Sequence, residues 1–303
     1  MSRMRLLIIK GGETYDMTQL TQRVRLSGRK GAAARTLTAD LLDDDLCNRP
    51  RPAFDVERGV HCLFYWDGKE LFRGIVEKQA QSKKKVMPIT AHDNANYLAN
   101  NKDTYVYTKK KASEIFADVC KRAGLPCGKI DDTGYIIDEL PKPNTTGYDA
   151  ICDALSITYK ATGVRYWPGS RGGKTYLVRR RDTILQWVIE VGANLTDYAL
   201  TKSIEDSKTR IKLLSKEGTV LAQAGDAALE GKIGIRQDIE KPDDDLSAGQ
   251  LQELAKSMLK ERSAAKKTLS VTALGLPDVE AGVGVFIIIP HVGISRSYYV
   301  EQD

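Results

Sequence analysis

Three histidines, five cysteines and a few carboxylate clusters are the residues of this chain that could do chemistry. His61, His92 and His291 lie in three different segments, with no His-x-x-x-His or His-Glu-x-x-His spacing. A metal site would need all three to converge from both ends of the chain. His92 and Asp93 are neighbours in sequence, but a catalytic dyad is defined in space and needs a Ser or Cys beside it. His61 sits in a strand-like run whose alternation places it on an outer or interface position. Cys47, Cys62, Cys120, Cys127 and Cys152 are odd in number and contain no Cys-x-x-Cys, so they give no disulfide framework. Cys120 and Cys152 fall on apolar faces of predicted helices, where cysteine is a small hydrophobe. The loop Gly169–Thr175 ends in Gly-Lys-Thr like a phosphate loop. The spacing is one residue short, however, and a strand rather than a helix follows. It reads as a hairpin turn. The carboxylate runs Asp43–Asp45, Asp131–Asp132 and Asp243–Asp245 lie in polar loops, whereas a raised-pKa acid needs an apolar burial site. The expectation is no catalytic residue, no cofactor site, no metal site and no enzyme.

The elements that carry these residues are mostly strands. Met4–Lys10, Leu20–Leu26, Thr36–Leu42, Arg58–Tyr65, Glu70–Glu77 and Val86–Ala91 predict a curled sheet or barrel over residues 1–103. Asp67-Gly68 supplies its hairpin turn, and His92–Leu98 predicts a short helix. From residue 104 helical periodicity appears. Ile115, Phe116, Val119 and Cys120 share one face of Ala112–Ala123, which Gly124 stops. Tyr148, Ile151, Cys152, Leu155 and Tyr159 share a face of Thr145–Ala161, which Gly163 ends. A hairpin, Val164–Trp167 with Thr175–Val178, completes a small α+β domain over 104–185. Strands are expected again at Asp197–Ile204, Lys208–Leu214, Thr219–Ala222 and Lys232–Ile239. Ser247–Ala265 is the clearest helix, capped by Ser247. Residues 186–303 are therefore expected to form a second barrel with one long helix. The fold class is mainly β with an α+β insert.

Composition narrows the function classes. A chain of 303 residues with net charge +6 has room for two or three domains and carries only a mild basic excess. Lys83–Lys85 and Arg179–Arg181 are short clusters, not the dense basic stripe with aromatic interleaving of a nucleic-acid surface. The longest apolar run, Val283–Ile289, is far shorter than a membrane span. No secretory signal is seen in Met1–Gly12. The reading is a soluble protein made in the cytoplasm.

One pattern occurs twice. Gly59-Val60 opens a strand whose hairpin partner closes on Val76-Glu77. Gly282-Val283 opens another that closes on Val300-Glu301, and the two intervals differ by one residue. Each follows a similar run, Thr36–Leu42 and Thr268–Leu274. A β-module used twice points to a building block of a symmetric assembly. With these residues in view, the segments Gly59–Asn101, Lys111–Pro126, Thr145–Gly163 and Leu269–Phe286 resemble the XkdQ/YqbQ-like baseplate hub proteins of contractile phage and phage-like tails. The resemblance spans nearly the whole chain and rests on strand and turn patterns. It implies two tube-protein-like barrels per chain and a homotrimer presenting six barrels in a ring. That ring would join the hexameric tail tube protein to the trimeric central spike protein. It further implies tape-measure, baseplate-wedge or LysM-type hub partners, DNA only passing through the channel, no membrane insertion, and a place in the tail baseplate of a virion or bacteriocin-like particle assembled in the bacterial cytoplasm. The family pattern leads one to expect a further strand after Tyr298-Tyr299-Val300.

Two readings from other classes compete. A phage-associated cell-wall hydrolase would need a nucleophile–base or metal cluster, which the spacing does not supply. A carbohydrate-binding tail protein would need exposed aromatics on one face, for which Trp66 and Trp167 are the candidates.

Overall fold

Every second residue of Thr36–Leu42 is apolar and small or branched, and Leu37, Ala39 and Leu41 are buried. The same alternation recurs in Val86–Asp93, where Met87, Ile89 and Ala91 are buried. Period-two burial is the mark of a sheet with one face in the core. The computed structural model describes residues 4–42, 56–80, 86–242 and 246–303. The Asp43–Asp45 and Asn48–Pro52 loop, Cys47, Lys83–Lys85 and Asp243–Asp245 lie outside those residues. The chain is mainly β, with five α-helices among the described residues, and it divides into two compact units, 1–191 with 275–303 and 192–274.

The first unit begins with β1 (Met4–Lys10), β2 (Glu13–Asp16), β3 (Thr21–Ser27), β4 (Thr36–Leu42), β5 (His61–Trp66), β6 (Lys69–Gln79) and β7 (Val86–Asp93). They form a seven-stranded sheet in the order β2-β1-β5-β6-β7-β4-β3, with every pairing antiparallel. Asp67 and Gly68, with φ of 47° and 80°, make the β5–β6 turn, as an Asp-Gly hairpin requires. Leu6, Ile8, Val56, Cys62, Phe64 and Val76 gather with the inner residues of β4 and β7 into one core.

Next come α1 (Asn96–Asn100), β8 (Lys102–Lys111), α2 (Ala112–Arg122), β9 (Cys127–Ile130), β10 (Ile136–Thr146), α3 (Gly147–Thr162), β11 (Tyr166–Arg171) and β12 (Lys174–Arg179). The expected face of α2 is buried, with Ile115, Phe116, Val119 and Cys120 in one core. On α3 the buried residues are Ala150, Ile151 and Ala154, so of the expected face Ile151 is in the core, Tyr148 and Leu155 pack at its edge and Tyr159 is exposed. Thr146 caps α3 by accepting from Asp149 N, and Gly163 ends it with φ of 70°. The long antiparallel pair β8–β10 was not expected. Pro141 and Pro143 interrupt the β10 pattern, and proline is confined to edges and bulges of sheets.

The end of the chain is more divided than one barrel over 186–303. The strands β13 (Ile184–Glu190), β19 (Gly284–Ile289) and β20 (Ile294–Tyr299) form a three-stranded sheet within the first unit, with β13 parallel and β20 antiparallel to β19. The second unit holds β14 (Leu195–Ser203) paired with β18 (Lys266–Ala273), and separately β15 (Arg210–Leu214), β16 (Val220–Gly225) and β17 (Gln237–Glu240). Helices α4 (Ala227–Ile233) and α5 (Ala248–Ser263) complete it. Leu251 and Ala255 of α5 pack on Ile211, Leu213, Ala222 and Ala224. Ser247 and Gln250 form the α5 capping box. The strand expected from Lys232 begins only at Gln237. Asp226 caps α4 by accepting from Leu229 N, and the helix runs to Ile233 before Gly234, at φ of 81°, ends it.

Candidate functional site

The two copies of the repeated pattern share one backbone geometry. In the first, Gly59 N donates to Val76 O (2.7 Å) and Val76 N to Val60 O (2.9 Å). In the second, Gly282 N donates to Val300 O (2.9 Å) and Val300 N to Val283 O (2.9 Å). Both glycines have φ in the region L side chains rarely adopt, 91° and 97°. The likeness reaches further back in sequence than strand pattern alone reveals. Residues 55–60 read Asp-Val-Glu-Arg-Gly-Val and residues 278–283 read Asp-Val-Glu-Ala-Gly-Val. This shared hexapeptide is the sequence signal that marks Glu280, which lies outside the carboxylate runs Asp43–Asp45, Asp131–Asp132 and Asp243–Asp245. The sheets around the copies differ, since β5 is antiparallel to β1 and β19 is parallel to β13.

Glu280 is buried and stands at the centre of a charge cluster. Arg35 donates Nη1–H to Glu280 Oε2 (2.5 Å) and Nη2–H to Asp303 Oδ2 (2.6 Å). Arg171, at the tip of the β11–β12 hairpin, donates Nη2–H to Glu280 Oε1. Asp303 also accepts from Ala281 N (2.9 Å), and its own N–H reaches Gly28 O (3.1 Å). Lys30 N donates to Glu301 O (2.7 Å), and Lys69 pairs with Asp278. The Arg35, Glu280 and Asp303 side chains are only 18%, 9% and 14% exposed. Burial alone would lower the Arg171 pKa, but Glu280, Tyr176 and Asp278 more than offset it, holding that guanidinium above its usual value.

Asp93 lies beside this cluster on the core face of β7, in the same alternating row as Met87, Ile89 and Ala91. Its Oδ2 accepts from Arg35 N (3.2 Å) and its Oδ1 from Ala95 N (3.0 Å). Burial pushes its carboxyl up to about 7. The nearby Glu280 carboxylate adds to that, while the two backbone donors and Arg35 pull the other way. Trp167 completes the packing, for a Cβ on Gly282 would stand 2.3 Å from its indole. What this arrangement does chemically is fasten. Opposite charges from β19's approach, the β4 entrance and the hairpin tip neutralise one another, Arg35, Glu280 and Asp303 largely out of water and Arg171 half-exposed.

The other candidate residues are scattered. His61 and His92 both sit opposite Ile75, on strands flanking β6, so they lie on one face about 10 Å apart at two strand spacings. His92 Nδ1 is 2.9 Å from Glu77 Oε2. His291 follows β19 in a 3-10 turn. Among the described residues no group of three or more His, Cys, Asp and Glu could hold a metal. Gly172 and Gly173 form the β11–β12 turn with φ of 58° and 74°, so the loop that ends in Lys174-Thr175 is a hairpin. Trp66 packs against the first core, and Trp167 is half-buried under Gly282. The Thr175 hydroxyl lies between Cys120 Sγ (3.4 Å) and Cys127 Sγ (3.6 Å), so those two cysteines, distinct in sequence, converge.

This mainly β chain with a helical insert has the fold of solved phage tail proteins. A 43 kDa tail protein of prophage MuSo2 from Shewanella oneidensis superimposes with a TM-score of 0.71 at 15% identity, over 98% of this chain and 91% of that one. In sequence, YqbQ of Bacillus subtilis (strain 168) is 36% identical, and XkdQ of the phage-like element PBSX from the same strain is 34% identical. Each match spans 98% of this chain and 91% of the relative. The model of the YqbQ-like family matches residues 24–303, and the chain belongs to that family.

Proposed function

We propose that this protein is a structural hub of a contractile phage or phage-like tail. In this reading three copies form a ring at the tip of the tail tube, each contributing two related β-modules, and the ring joins a six-fold tube to a three-fold central spike. Its role is structural, not enzymatic. The observation that carries the reading is the duplicated hairpin, with its matched Gly-Val hydrogen bonds and its shared hexapeptide. A chain that repeats one module can present twice as many equivalent surfaces as it has copies, which is what a three-to-six match requires. Within the chain, Arg35, Lys30 and Lys69 already hold the carboxylates of the second copy's rim. An electron-microscopy map of the assembled particle tests this. Three copies around an axial channel at the tube's end are expected. A single dispersed copy on the particle surface would refute it.

A further inference from the structure

The two copies of the Asp-Val-Glu-x-Gly-Val hexapeptide meet very different surroundings. In the second copy Glu280 is 6% exposed and clasped by Arg35 and Arg171. In the first copy Glu57 is on the surface, its side chain 58% exposed, and it pairs with Lys10 at 2.5 Å. An exposed pair of that kind contributes little to stability. The same backbone turn therefore presents the same acid twice, once docked and once accessible.

The docking partner repeats as well. Arg35 immediately precedes the run Thr36–Leu42. The matching run is Thr268–Leu274, and the residue immediately before it is Lys267. Lys267 is exposed on β18 and makes no ion pair among the described residues. The chain thus carries one acid–base contact that joins its two copies, Glu280 with Arg35, and the two halves of a second such contact, Glu57 and Lys267.

We infer that Glu57 docks on Lys267 of a second copy of this chain. The contact repeats between chains what Glu280 and Arg35 make within one. When acid and base occupy separate patches such a contact is heterologous, and repeating it gives a ring when the rotation closes. The inference rests on the hub reading and names the residues that would join its subunits. The occupant is a second copy because the buried instance of this hexapeptide is docked on this same chain, and because the charges of the two exposed side chains, Glu57 and Lys267, are complementary.

Charge reversal tests it in particles and in the purified protein. Both side chains are exposed, so Glu57→Lys and Lys267→Glu should fold, as circular dichroism would verify. Each single reversal is expected to lower the yield of assembled rings by about tenfold or more, the scale of a coupled interfacial charge pair. The double variant Glu57→Lys/Lys267→Glu is expected to restore the yield to near that of the unchanged protein. A second readout is a Glu57→Cys/Lys267→Cys chain, which should give chain-to-chain disulfides on a non-reducing gel that neither single variant gives. If the unchanged protein forms rings and the reversals leave them intact, or the double variant is as defective as the singles, this contact is wrong and the hub reading stands. If the unchanged protein forms no ring in any particle, the hub reading falls and takes this contact with it.

Discussion

Replacing Arg35 with methionine should separate the charge cluster from the packing around it. Methionine keeps most of the aliphatic stem and removes the guanidinium. Two buried carboxylates then lose a partner, Glu280 at 2.5 Å and Asp303 at 2.6 Å. Removing one member of a buried ion pair costs about 3–5 kcal/mol, because the other charge stays behind uncompensated. Two features reduce that. Glu280 keeps Arg171, and the Arg35 Nε–H is itself buried without a hydrogen-bond partner, so deleting it removes a desolvation cost of about 1 kcal/mol or more. The expected net loss is about 2–4 kcal/mol, falling on the unit formed by 1–191 and 275–303. Urea denaturation with hydrogen exchange would place the loss, with β19 and β20 opening earlier and the amides of 192–274 unchanged. The partner variant Glu280→Gln completes a double-mutant cycle. The double variant should be less destabilised than the sum of the singles by about 1 kcal/mol or more, as directly coupled groups are. A single-variant loss below about 1 kcal/mol, or additivity within about 0.5 kcal/mol, would mean that these charges do not hold the segments together.

Alanine at the two equivalent glycines should differ in cost. Gly59→Ala meets no atom within 4 Å and suffers only the positive-φ strain, about 1–2 kcal/mol, whereas Gly282→Ala adds an overlap with Trp167 and should exceed it on thermal denaturation; equal losses would refute the proposed packing. Asp93→Asn should flatten the pH dependence of stability. The native carboxyl, raised from 3.8 to about 7, binds its proton more tightly than the unfolded chain does, so stability is full below about pH 4, falls between there and about pH 7, and is flat above. Denaturation midpoints at pH 5 and pH 8 check this, and an unchanged slope in the variant would count against it. Cys127, exposed, should be alkylated in the folded protein, while Cys62, whose thiol burial pushes up to about 12, should react only in denaturant. Peptide mapping by mass spectrometry reads both, and equal rates would overturn the burial assignment.

The residues that formed the elements were legible because their causes are local. The Asp67-Gly68 turn, the Ser247 cap, Gly163 and the alternating rows of β4 and β7 each follow from a few neighbours. Strands β8 and β10 escaped because lysines and prolines blur their period, and α4 escaped because one capping aspartate outweighed a short β-like run. The charge cluster is different in kind. Arg35 lies 245 residues from Glu280 and 268 from Asp303, and no periodicity links positions that far apart. Yet part of it was written in the chain. Alternation along β7 already places Asp93 on the core face, where an acid must find donors or hold its proton. The hexapeptide already marks Glu280 as the counterpart of Glu57. What sequence does not carry is why one glutamate is buried and the other exposed, since their local turns are alike. The difference comes from what each turn rests against. For Glu280 that surface is the chain's own β4 entrance and hairpin tip. Two like turns in unlike surroundings are expected wherever a duplicated module fills one of its contacts within the chain and leaves the other for assembly.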